Sequence, residues 1–150
     1  MPQSLTQLYT HLIFSTKDRQ GLINDVVREE LHKYLAGTLY NLKSQSLTIG
    51  SATDHVHILF ALSKNHPLCK IVEELKKSSS KWLKTKDGDL SHFAWQNGYG
   101  AFSVSPSRLD DVKTYILNQH AHHKHFDFQS EFRRLLESHH IEFDERYAWD

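Results

Sequence analysis

Asp54-His55-Val56-His57-Ile58-Leu59-Phe60 is the stretch on which the fold turns. It is short, apolar and rich in β-branched and aromatic residues, the signature of a buried strand. In a strand, residues i and i+2 point the same way. His55 and His57 therefore project side by side from one face, while Val56, Ile58 and Phe60 line the other. Two imidazoles on one rigid face make a chelating pair for a divalent cation. The spacing alone is a weak signal, since chance gives a His-apolar-His tripeptide about 0.4 times in a chain of this composition. His120-Ala121-His122 fits the same pattern. It lies in a segment, 107 to 125, with helical periodicity, where i and i+2 point to nearly opposite sides and cannot share one ion.

Working outward, Ser46 to Ala52 reads as a strand that Thr53-Asp54 turns back into the histidine strand as a hairpin. Leu8 to Ser15 alternates, with Leu8, Leu12 and Phe14 on one face and Tyr9, His11 and Ile13 on the other. After the polar loop Thr16 to Gly21, Leu22 to Leu42 has helical spacing with Val27, Leu31, Tyr34, Leu35 and Leu39 as its apolar set. Asn24 or Asp25 can cap its start. Pro67 opens a second helix, with a stripe of Leu68, Ile71, Val72, Leu75, Trp82 and Leu83. Phe93 to Ser103 predicts a last strand, interrupted at Gly98-Tyr99-Gly100. The order β-α-β-β-α-β predicts an α+β, ferredoxin-like fold: a four-stranded antiparallel sheet with two helices on one face. The other face carries His55, His57 and His11, and needs a cover, either a further helix or a second subunit.

Ser107, with Asp110 three residues on, reads as the capping box of a third helix. Leu109, Val112 and Ile116 are its apolar stripe. Within Tyr115-Ile116-Leu117-Asn118-Gln119, the spacing i, i+4 makes Tyr115 and Gln119 neighbours on the flank of that stripe. A tyrosine with a pKa of about 10 is a poor nucleophile unless a cation or base assists it. The run His120 to His125 closes the helix, as suits a helix C-terminus. Phe128 to Leu136 predicts one more helix, and the acidic, aromatic tail Glu142 to Asp150 shows no clear order. The expected division is a domain over residues 1–126, with a helix and tail over 127–150 that belong to the same domain.

A chain of 150 residues suits one domain with a real core. Acidic and basic residues balance to zero net charge, which argues against a strongly basic nucleic-acid module. A lone cysteine, Cys69, excludes an intramolecular disulfide and fits a reducing compartment; its place at the start of an apolar helix predicts a small core residue. The chain shows neither a signal core nor an apolar run of 18 residues, so no membrane segment and a cytoplasmic location are expected.

Taken together, Leu8 to Arg19, Asp54-His55-Val56-His57-Ile58-Leu59, Trp95 to Ser105 and Tyr115 to Gln119 resemble the small single-tyrosine transposases of the HUH endonuclease superfamily. That family moves insertion sequences as single-stranded DNA. The similarity runs over roughly residues 5 to 126, in the family's order. It implies that His55 and His57 bind a divalent ion, Mg²⁺ or Mn²⁺, with Gln119 as third ligand, and that Tyr115 is the nucleophile. It implies cleavage and rejoining of single-stranded DNA through a 5′-phosphotyrosine, with no nucleotide cofactor. It also implies hairpins at the DNA ends, and a homodimer whose sheet continues across the interface, with the tyrosine helix of one subunit completing the other's site. Lys17, Arg19, Lys76, Lys77 and Lys81 are then candidates for phosphate contacts, and Trp95 and Tyr99 for base stacking. The alternatives are a domesticated hairpin-binding or non-catalytic single-strand-binding protein of the same fold, a nicking enzyme of replication initiation, and a metal-binding regulatory dimer in which Tyr115 is dispensable.

Overall fold

The computed structural model describes residues 2–86, 88–119 and 127–150. Its elements are β1 (Tyr9–Ser15), α1 (Asp25–Asn41), β2 (Ser46–Ser51), β3 (His55–Ala61), α2 (Leu68–Leu83), β4 (Gly100–Val104), α3 (Leu109–Leu117) and α4 (Phe128–Ser138). The strands form one antiparallel sheet in the order β2-β3-β1-β4. This is the expected ferredoxin-like α+β fold, with two further helices.

The sheet separates two apolar layers. Leu12, Phe14, Val56, Ile58 and Phe60 pack against Leu31, Leu35 and Leu39 of α1 and Ile71, Val72 and Leu75 of α2. On the opposite face Ile13 and Phe102 meet Phe128, Phe132 and Leu136 of α4. β3 is buried on both faces, from His55 to Phe60, which is why it reads as a continuous apolar run. The cover of the histidine face therefore comes from the chain's own α3 and α4. Two glycines let these helices lie close. A Cβ on Gly50 would run into the main-chain carbonyl of Ile116, and one on Gly100 into the ring of Phe132.

Several local expectations change. Asn24 caps α1, accepting from the Val27 amide at 3.0 Å, so that helix starts at Asp25 rather than Leu22. The segment predicted as strand over Phe93 to Ser103 pairs only from Gly100. Upstream, Trp95 makes an isolated bridge to Thr16, and the Lys76 ammonium gathers the carbonyls of Gln96, Asn97 and Gly98 at 2.8, 3.2 and 2.6 Å. Those carbonyls point to a cation instead of a neighbouring strand. Ser107 does not cap α3: it sits in a 3-10 turn, Pro106–Arg108, with its hydroxyl on that of Ser105. Cys69 is exposed, on the outer side of the first turn of α2, and is not a core residue. The tail is docked. Gly98 N–H and Gln96 Nε2 both donate to the Asp150 main-chain oxygen, at 2.8 and 3.1 Å, and Arg133 pairs with Glu145 and lies over Trp149. The expectations for His120 to His125 lie outside the described residues. Among the described residues no helix is long and apolar enough to cross a membrane.

Candidate active site

β3 presents His55 and His57 from the face covered by α3 and α4, both fully buried. Each imidazole is held through Nδ1. His55 Nδ1 is 2.7 Å from Asp54 Oδ1, and His57 Nδ1 is 2.7 Å from His11 Nε2 of β1. These partners fix the ring orientations and turn both Nε2 atoms toward one point.

That point is occupied by Glu131 of α4, a buried carboxylate that sequence reasoning did not select. Its Oε1 lies 3.1 Å from His55 Nε2 and 3.0 Å from His57 Nε2. Its Oε2 accepts from the Tyr115 hydroxyl in a short hydrogen bond, and from Gln119 Nε2 at 3.0 Å. The other end of the Gln119 amide, Oε1, is 3.2 Å from His55 Nε2. Tyr115 and Gln119 arrive as a pair because four residues of near-helical chain bring them to one flank. Gln119 itself lies just past the last turn of α3, whose C-cap is Asn118. Two elements thus bring four groups to a third element's carboxylate, all within one chain. The sequence did hold a signal for Glu131. It falls three residues after Phe128 and four before Leu135, on the apolar stripe of α4, where a carboxylate needs a partner.

The electrostatics follow from that convergence. Burial alone would lower the pKa of His55, but hydrogen bonds and charge from Asp54 and Glu131 outweigh it and raise the value to about 9. Burial, then the neighbouring His57, push His11 down to about 3. Burial and the Glu131 charge push the pKa of the Tyr115 hydroxyl up, so it could serve as a nucleophile only if its proton were accepted or a cation offset the carboxylate.

The residues fit a divalent cation. Ligand atoms of His55, His57 and Glu131 lie within 4.8 Å of one another. Imidazoles with a carboxylate and an amide oxygen form a mixed donor set that accepts first-row dications as well as Mg²⁺. The expected ligand set of two imidazoles and an amide gains a carboxylate, which lowers the net charge of the site by one.

The candidate DNA contacts scatter. Lys17 and Arg19 sit on the loop after β1, where Arg19 Nη1 donates to the Trp149 carbonyl at 3.4 Å. The Lys76 charge is engaged by the three carbonyls, and burial lowers its pKa to about 8. Lys77 and Lys81 are exposed on α2, in the layer across the sheet from the histidines. Trp95 is a correction: it is only 7 % exposed and cannot stack on a base. Its ring meets Phe14 and Phe93 edge-on, with centroids at 4.8 and 4.7 Å, and Nε1 donates to Ser79 Oγ at 3.0 Å. Tyr99 is 38 % exposed, with the Lys76 ammonium 5.7 Å from its ring centre.

The fold recurs among solved structures. A candidate transposase from Deinococcus radiodurans R1 is 24% identical, with a TM-score of 0.63 over 80% of this chain and 96% of that one. A REP-associated tyrosine transposase, solved bound to a REP hairpin, is 11% identical, with a TM-score of 0.57 over 77% of this chain and 68% of that one. No protein of curated function matches the chain. The family model described as "Transposase IS200 like" matches residues 4–119, from before β1 through Gln119, and so spans the sheet, both histidines and the tyrosine helix. The chain belongs to the IS200-like transposase family.

Proposed function

We propose that this protein cleaves and rejoins single-stranded DNA, with Tyr115 as nucleophile and His55, His57, Gln119 and Glu131 as the holders of a divalent cation, Mg²⁺ or Mn²⁺. The observation that carries the reading is the meeting of the Tyr115 hydroxyl with two buried imidazoles, an amide and a carboxylate at one point. Membership of a transposase family supports the substrate class. One fold neighbour is a tyrosine transposase bound to a REP hairpin, and we extend a hairpin-bearing single strand to this chain as its partner.

Tyr115 attacks the phosphorus in line; its oxygen forms the 5′-phosphotyrosine as the bond to the 3′ oxygen breaks, and the 3′ oxygen takes a proton from water and leaves as a free hydroxyl. The tyrosine proton passes to Glu131 Oε2, which already accepts its hydrogen bond. Glu131 Oε1 and the two Nε2 atoms would hold the cation, and Asp54 and His11 keep both imidazoles aimed. A cation held there supplies positive charge to the phosphate oxygens and to the leaving oxygen. The covalent link keeps the energy of the broken bond, so rejoining needs no nucleotide cofactor. Lys17, Arg19, Lys77 and Lys81 are proposed to steer phosphates and Tyr99 to stack a base, with Lys76 holding the loop that carries Tyr99.

The proposed unit is one domain over residues 1–126, completed by 127–150, because Glu131 comes from the latter. A homodimer joined edge to edge stays part of the proposal, with β2 and β4 as the available edges. Acting on DNA in a reducing compartment fits a cytoplasmic location. The test is incubation with single-stranded oligonucleotides from both flanks of the gene, with Mg²⁺ or Mn²⁺. A metal-dependent covalent protein–DNA adduct supports the proposal. Hairpin binding with no adduct under any metal would favour the non-catalytic alternative.

A further inference from the structure

A cavity of about 700 Å³ opens beside the tyrosine, bounded by β4, the first half of α3 and the end of α4. Tyr115 and His11 line its inner end, Phe102 and His139 one wall, and Arg108 and Val112 are also part of its lining. The volume falls within the range of small-molecule sites. We infer that this cavity seats the nucleotide next to the cleaved phosphate, its base on the exposed ring of His139 and its outer phosphate toward Arg108. The inference rests on the reading of Tyr115 as nucleophile and deepens it.

Three observations carry it. The first is continuity: the hydroxyl that would attack belongs to a residue of the cavity lining, so a strand whose phosphate reaches Tyr115 has a neighbouring nucleotide at the cavity's inner end. The second is chemistry. Phe102 and His139 stack with centroids 4.4 Å apart and planes at 27°, and His11 meets Phe102 edge-on at 6.1 Å. Phe102 is buried beneath His139, and the exposed His139 ring offers its outer π face to a base. The third is charge. Arg108 is 69 % exposed at its side chain, and its contact with Asp111 is a loose 3.4 Å between exposed groups, which a phosphate can replace.

The experiment has two arms. In the first, the full chain is titrated with dAMP, dTMP and deoxyribose 5-phosphate, followed by amide NMR shifts, without added metal. Saturable shifts at Ser103, Val112 and His139 with both nucleotides, and about tenfold weaker binding of the sugar phosphate, are expected. Val112→Trp, which fills the cavity, should remove them. His139→Ala, which removes an exposed ring just past the last turn of α4, should weaken binding about fivefold and keeps the test valid if the tryptophan variant does not fold. Absence of cavity shifts, or equal binding of the base-free sugar phosphate, overturns the inference. In the second arm, an abasic nucleotide flanks the mapped cleavage position of an oligonucleotide. The abasic strand should form adduct about tenfold more slowly, and His139→Ala should slow the intact strand but not the abasic one further. Additive losses overturn the inference. The arms separate the two readings. Nucleotide shifts without any adduct would sink the nucleophile assignment but leave a nucleotide site, whereas an adduct formed equally fast on abasic strands would sink the cavity alone.

Discussion

Glu131 is the centre of the candidate site: a single carboxylate receives Tyr115, Gln119 and both histidines. Glu131→Gln keeps the shape but loses the charge and the ability to take a proton. It should weaken Mn²⁺ binding, read by calorimetry, and slow adduct formation by about 10²-fold or more. Faster cleavage by Glu131→Ala would instead mean that the carboxylate blocks the site. His55 gives a second prediction. With its pKa raised to about 9 the folded chain holds a proton there at neutral pH, and a cation bound at His55 would have to displace it. Mn²⁺ affinity should therefore rise with pH up to about 9, with proton release seen in buffers of different ionisation enthalpy. A flat affinity between pH 7 and 9 would contradict this assignment.

The helices α3 and α4 bring the chemistry to the sheet, and each depends on a glycine beneath it. Gly50→Ala meets the main chain of Ile116, which cannot swing aside, so α3 must lift from β2. The variant should remain folded but lose about 1–3 kcal/mol of stability in denaturant unfolding, and form adduct much more slowly than that loss explains. Normal adduct formation would show that the seating of α3 is not needed. This scale also shows what the sequence could disclose. β3 was legible because its pattern is local, a buried run with two histidines on one face. The pairing of Tyr115 with Gln119 followed from helical spacing. The meeting of the two segments came from family resemblance, since spacing says nothing about contacts between residues 64 apart. Glu131 was hidden for the opposite reason. A carboxylate on the apolar stripe of its helix says that a partner is needed but not which one, and only the tertiary approach of α4 to β3 gives it four. Trp95 misled because an aromatic near a glycine-rich turn looks like a surface ligand, and Lys76 because a lysine off the apolar stripe of a helix reads as free for phosphate. Packing turned the first into core and the second into a clamp on three carbonyls.

At the scale of the whole molecule, the sheet divides labour: α1 and α2 hold the large core, and α3 and α4 build the site on the opposite face. Stability and chemistry can thus be probed apart. His32 of α1 bonds Ser51 Oγ at 2.8 Å, and burial, then Arg28, lower its pKa to about 4. Between the unfolded value of about 6.5 and 4, the unfolded chain binds more protons than the folded one. The contribution of His32 is therefore whole above pH 6.5 and is lost as pH falls toward 4, and the buried His11 adds to the same limb. Thermal unfolding temperature should drop across that window, and His32→Gln, which can keep the bond to Ser51, should flatten the drop. An unchanged acid limb in that variant would place the sensitivity elsewhere.

Tyr115 as nucleophile is tested by the covalent adduct itself, with Tyr115→Phe beside the parent chain on the same oligonucleotide in the presence of Mg²⁺ or Mn²⁺. The ring, the packing and the helix stay, and only the attacking oxygen goes. Hairpin binding should persist within about twofold, and the adduct resolved by denaturing gel and mass spectrometry should vanish. If Tyr115→Phe still becomes covalently linked to DNA, the nucleophile lies elsewhere and this account of the site is wrong.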